Sequence, residues 1–139
     1  MKNIFWVRML AALILVSTLL TACATTAPAT QQNAPGTIRV ASKDFTEQFI
    51  LGEMYIQLLV ANGYTVQPKL NLGGTPVAQQ ALLSNEIDVY PEYTGTGLLT
   101  VLKLPVNSDP VAVYNTVKAE YQSQFNLVWL DPAPMNNTQ

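Results

Sequence analysis

Apolar and polar positions along the chain fall into alternating short extended runs and helical runs. Ile38 and Val40 alternate with polar neighbours in Thr37–Ala41, which predicts a strand, and Ser42-Lys43-Asp44 follows as a polar turn. Asp44 reads as an N-cap, with Glu47 three residues on completing a capping box. Ile50, Met54 and Leu58, with Leu51, Tyr55 and Leu59, then recur at helical spacing as far as the stop at Asn62-Gly63. Val66, Leu70 and Leu72 predict a second strand, and Pro68 inside it, lacking a ladder donor, places that strand at or near a sheet edge. After Gly73-Gly74, Thr75 reads as an N-cap and Pro76 as the first residue of a helix that presents Val77, Ala78, Ala81 and Leu82 on one face. Ile87 and Val89 predict a third strand. The order strand, helix, strand, helix, strand implies an α/β fold with a parallel sheet and right-handed crossovers.

Beyond Gly97, Leu98–Leu104 predicts one or two helical turns that end at Pro105. Ser108-Asp109-Pro110 starts a further helix, whose face Val113, Tyr114, Val117, Tyr121 and Phe125 is assigned to core packing. Leu127–Leu130 reads as a short buried strand, ended by the stiff Asp131-Pro132-Ala133-Pro134.

The richest chemistry follows the third strand. Glu86–Gly97 breaks at Pro91 into a turn carrying Tyr90, Glu92, Tyr93, Thr94 and Thr96. In open α/β sheets ligands sit at the carboxyl ends of the strands. These groups suit a small ligand with a methylated cationic end and an anionic end, because a quaternary ammonium has no N–H to donate and must be held by ring faces and negative charge. Taken alone, the stretch fits the blander alternative better: strand-end tyrosines commonly pack with their hydroxyls in water. The context has to decide.

The 139-residue chain is 49% apolar with only 12% charged residues, a composition for folding rather than disorder. Its net charge is −2, and the charged leader contributes Lys2 and Arg8 to the positive side, so the remainder is more acidic still. Such a surface does not attract nucleic acid. Histidine is absent and Cys23 is the only cysteine, which removes the usual zinc, thiol and histidine-base chemistry and leaves no metal site or cofactor to expect.

Lys2 and Arg8, the run Met9–Leu20 and the box Leu20-Thr21-Ala22-Cys23 resemble a bacterial lipoprotein signal. That implies a signal peptide over 1–22, lipidation of Cys23, and a membrane anchor. Residues 23–36 lack any large apolar side chain and read as a flexible tether. The domain proper is then 37–139.

Four segments carry a further resemblance. Val40-Ala41-Ser42-Lys43-Asp44-Phe45-Thr46-Glu47-Gln48, Asn71-Leu72-Gly73-Gly74-Thr75, Ile87-Asp88-Val89-Tyr90-Pro91-Glu92-Tyr93-Thr94-Gly95-Thr96 and Trp129-Leu130-Asp131-Pro132-Ala133-Pro134-Met135-Asn136-Asn137-Thr138 resemble the substrate-binding lipoproteins of osmoprotectant ABC importers, the glycine betaine/choline-binding family. The resemblance implies a type-2 periplasmic-binding-protein fold with an incomplete first lobe, an extracytoplasmic location, and permease subunits as partners. It also implies that Lys43 helps hold a ligand carboxylate, that Tyr93 forms one wall of an aromatic cage, and that Thr96 hydrogen-bonds the carboxylate. Asp44, Tyr90, Asn137, Thr138 and Gln139 fall beside these positions. Gln139 stands where many members have an aromatic residue, which removes one wall. The other walls and an arginine clamp would come from a second lobe. Two further readings stand beside this one: an exported hydrolase using Asp88 and Glu92 as acid and base, and a structural lipoprotein with no small ligand.

Overall fold

The computed structural model describes Gly36–Ala133. The expectations for the leader, the tether up to residue 35, Cys23, Asn137, Thr138 and Gln139 lie outside the described residues. No helix among the described residues is long and apolar enough to cross a membrane.

Strand β1 (Ile38–Ala41) is the centre of the fold. It pairs in parallel with β2 (Val66–Lys69), Ile38 opposite Val66 and Val40 opposite Pro68. On its other side it meets the expected third strand, which is reduced to one parallel bridge between Val40 and Val89. Three bonds join the segments there: Val89 N–H and Asp88 N–H donate to the Arg39 carbonyl at 3.3 and 2.9 Å, and Ala41 N–H to the Val89 carbonyl at 2.8 Å. Pro91 and the turn after it end the pairing before a ladder can form. Among the described residues β2 pairs with β1 alone, which fits the edge place expected from Pro68.

Helix α1 (Thr46–Ala61) follows β1, but not with the expected cap. Phe45 occupies the N-cap, with no side-chain cap bond, and Asp44 is exposed one residue earlier. Glu47 is drawn away from the helix end because its carboxylate accepts a hydrogen bond from the Tyr93 hydroxyl at 2.8 Å. Only one of the two apolar rows turns inward: Leu51, Tyr55 and Leu59 are half-buried. Ile50, Met54 and Leu58 are each more than half exposed, while Gln48 and Gly52 are the buried residues of the helix. A Cβ on Gly52 would lie 2.7 Å from Leu70 Cδ2 and 3.4 Å from Ser42 Cβ, so the absent side chain lets the helix close onto the sheet there.

Helix α2 (Thr75–Leu83) starts one residue early relative to expectation: Gly74 is the N-cap and Thr75 the first helical residue. Ala78 and Ala81 are buried as read, whereas Val77 is exposed. With Ala41, Ile87 and the half-buried Leu72, Leu82 and Tyr90, Ala81 forms one apolar cluster. After the Glu92 turn, α3 (Thr94–Thr96) runs into a single wide turn, Gly97–Val101, where Leu102 N–H bonds back to the Gly97 carbonyl at 3.0 Å.

Helix α4 (Pro110–Phe125) begins as the sequence predicts. Asp109 Oδ1 accepts from Val111 N–H at 2.9 Å and Ala112 N–H at 3.2 Å, and Asn126 ends the helix in the left-handed region at φ 57°. Asp109→Ala should therefore cost about 1 kcal/mol of stability, measured by urea titration. Val113, Val117 and Tyr121 point inward onto Leu98 in a second apolar cluster. Leu127–Leu130 is extended but pairs with no strand among the described residues, which corrects the expected buried strand. It still alternates: Leu127 and Trp129 pack on that cluster, and Val128 and Leu130 are exposed.

Arg39 and Asp88 brace β1 against the third segment. Arg39 Nη2 lies 2.6 Å from Asp88 Oδ1, and Arg39 Nε donates to Oδ2 at 2.8 Å. The hydrogen bond from Arg39 holds the Asp88 carboxyl below its ordinary value. A carboxylate with a depressed folded value stabilises above the unfolded value of about 3.9, and that stability is lost as pH falls through the folded value. Unfolding followed between pH 5 and pH 2 should show a small loss that Asp88→Asn abolishes. It is small because water screens a pair this exposed.

Candidate functional site

The polar turn after β1, the start of α2 and the turn after Pro91 meet at the carboxyl end of the parallel strands. The Lys43 ammonium and the Glu92 carboxylate form an ion pair there, their side chains only 4% and 5% exposed. Lys43 Nζ also donates to Thr75 Oγ1 at 3.3 Å. Glu92 gathers three further donors: Tyr93 N–H at 2.8 Å, the Thr75 hydroxyl at 3.3 Å and the Tyr90 hydroxyl at 3.2 Å. A buried charge is tolerable only when paired and hydrogen-bonded in this way.

Two aromatic rings flank the ammonium. Lys43 Nζ sits 4.8 Å from the Tyr93 ring centre and 5.6 Å from that of Phe45, within cation–π range of both. The rings stack with centres 6.3 Å apart at 23°. Tyr93 is half-buried and its hydroxyl is tied to Glu47. Burial raises its phenol pKa; Gln48 opposes this and Glu47 adds to it. Tyr90 is raised far more, chiefly by burial and then by the nearby Glu92 charge.

The turn geometry comes from backbone detail. Gly73 has φ 120°, a conformation that side chains resist, and it turns the chain so that Thr75 enters the site. Ser42, fully buried, accepts Asn71 N–H at 3.0 Å on its hydroxyl and so ties that turn to the end of β1.

An open hollow of about 600 Å³ adjoins this cluster, lined by Tyr90, Tyr93, Thr96, Tyr114 and Trp129 among others. The structure therefore brings Tyr90, Tyr93 and Thr96 to one cavity. Lys43 is next to Tyr93 but is covered by its partners and does not line that cavity. Asp44 is exposed and takes no part in the network. Asp88 and Glu92, the pair weighed for hydrolysis, share no partner: Asp88 is bound to Arg39 and Glu92 to Lys43.

Over residues 36–139 the chain matches the family described as the substrate binding domain of ABC-type glycine betaine transport systems. The chain belongs to this family. It is a family of substrate-binding domains, not of enzymes. The chain is 37% identical over 112 residues to the glycine betaine-binding protein YehZ of Escherichia coli (strain K12), an alignment covering 76% of this chain and 35% of that protein. It is 39% identical over 102 residues to a glycine-betaine-binding protein of Pseudomonas aeruginosa, covering 73% and 32%. The solved structure of apo YehZ superposes with a TM-score of 0.68 at 38% identity, covering 73% of this chain and 37% of that one. The fold is accordingly the α/β periplasmic substrate-binding type expected, present in part. The chain spans about a third of the length of these relatives.

Proposed function

We propose that this chain serves as part of the extracytoplasmic solute-binding component of an ABC importer for glycine betaine, choline or a related quaternary amine. The observation that carries this is the half-buried Tyr93 ring, stacked on Phe45 at the edge of an aromatic-lined hollow and beside a buried ammonium–carboxylate pair. A trimethylammonium group would lie on ring faces in the hollow. Thr96 would donate to the ligand's carboxylate. Lys43, whose ammonium is spent on Glu92 and Thr75 and does not line the hollow, would act on the ligand indirectly, through its packing against the Tyr93 ring. Closure of a second lobe over the ligand would supply further ring walls and stabilise the closed state. Lipidation of Cys23 would tether the protein to the membrane beside its permease.

Cation–π contacts contribute about 0.5–2 kcal/mol each, so useful affinity needs several rings. The 139-residue chain alone should show no micromolar glycine betaine binding in calorimetry. A chimera joining residues 36–133 to the carboxyl-terminal two thirds of the E. coli relative should bind it. In that chimera Tyr93→Ala should weaken binding about 2- to 30-fold. Unchanged affinity in the Tyr93 variant would overturn the role given to its ring, and a chimera that binds no glycine betaine would favour a lipoprotein without a small ligand.

A further inference from the structure

Lys43 and Tyr93 reach the site from different elements, and one side chain touches both. The Glu92 carboxylate pairs with the Lys43 ammonium and accepts the Tyr93 backbone N–H at 2.8 Å. Its second oxygen takes the Thr75 and Tyr90 hydroxyls at 3.3 and 3.2 Å. Without that charge the Lys43 ammonium would keep a single neutral partner, Thr75, in a place where its side chain is only 4% exposed. A buried ammonium left so poorly compensated moves out to water.

We infer that Glu92 is a positioning residue for the ligand site. It holds the Lys43 ammonium against the Tyr93 and Phe45 rings, and through the same carboxylate it fixes the backbone that carries the Tyr93 ring. The inference rests on the proposed binding function for its purpose, but the arrangement itself can be tested without ligand. It also gives Glu92 a duty unlike acid–base catalysis: its oxygens are committed to four donors within the protein.

The test is trace acetylation of the full chain with acetic anhydride, with Lys69, Lys103 and Lys118 as internal references and mass spectrometry as readout. Lys43 should be protected in the wild type. In Glu92→Gln its labelling should rise about ten-fold or more while the other three lysines are unchanged. Thermal midpoints of Glu92→Gln, Lys43→Met and the double variant complete the measurement. If Glu92 acts through Lys43, Glu92→Gln lowers the midpoint in the wild-type background and leaves it unchanged or raises it in the Lys43→Met background, where it removes a buried charge that has lost its counter-ion. The double variant, which buries no charge, should fold even if Glu92→Gln alone does not. Unchanged Lys43 labelling in a folded Glu92→Gln protein would overturn the inference. An equal loss of midpoint in both backgrounds would do so too, because Glu92 would then only brace its own turn. In the chimera, Glu92→Gln should weaken glycine betaine binding, and the double variant should bind no worse than Lys43→Met. Failure of the chimera to bind at all would count against the proposed function and leave the acetylation result to be judged separately.

Discussion

Truncating Tyr121 to alanine should lower the free energy of unfolding by about 3–5 kcal/mol, the range for deleting a large aromatic from a packed core. Tyr121 is 3% exposed and sits at the centre of the α4 cluster. Its ring meets Phe125 at 5.3 Å and 81°, and Trp129 at 5.3 Å and 88°, both edge-to-face. Removing it takes a partner from each of these rings at once. Gly97 makes collapse around the gap difficult, because the wide turn already packs so closely that a Cβ there would lie 2.9 Å from Trp129. Tyr121→Phe should have the opposite sign. The hydroxyl is buried with no hydrogen-bond partner among the described residues, and burial pushes its pKa well up, so removing it should raise stability by about 1 kcal/mol. Urea titration of both variants decides; a destabilised phenylalanine variant would mean that the hydroxyl has a partner.

Lys43→Met should cost about 3 kcal/mol in the same titration. That is the lower end for breaking a buried ion pair, and the reason is an asymmetry in the pair. When the ammonium is lost, Glu92 still has the Tyr93 N–H and the Thr75 and Tyr90 hydroxyls. When the carboxylate is lost, the ammonium has only Thr75. Charge removal on the lysine side should therefore be milder than on the glutamate side. Arg39→Met, at the far more exposed Arg39–Asp88 pair, should cost much less than either. Equal effects at the two pairs would show that burial does not set their weight.

The sequence was most legible where hydrophobic period and end signals agreed. Helix α4 starts at Asp109-Pro110 as its pattern predicts, and β2, which carries Pro68, pairs on one side alone among the described residues. It was least legible where a polar side chain had two possible employers. Glu47 and Thr75 both read as helix-capping residues, yet each is taken by the site, Glu47 by Tyr93 and Thr75 by Lys43 and Glu92. Local propensity is worth about 1 kcal/mol at a cap, too little to hold a side chain against a buried charge. The same limit hid the inner face of α1. Periodicity favours Ile50, Met54 and Leu58, but the helix touches the sheet through Gly52 and Gln48, which no hydrophobic scan would choose. In the candidate site, Tyr90, Tyr93 and Thr96 are legible in the turn after the third segment, and Lys43 through the family resemblance. Phe45 and Gln79 were missed. A Phe next to the Lys-Asp turn was a usable signal for the first, whereas the contact of Gln79 Oε1 with the Tyr90 hydroxyl at 3.3 Å left no local trace.

The position of β1 between β2 and the Val89 bridge has a kinetic consequence. The ties that lock it, from Arg39 to Asp88 and from Lys43 to Glu92, join residues 49 positions apart. During synthesis this strand leaves the ribosome well before either partner exists, and the entropy of closing so long a loop has to be met before any of those contacts form. The helices can gather early from neighbouring residues, while the sheet and the ligand-side network must arrive together and late.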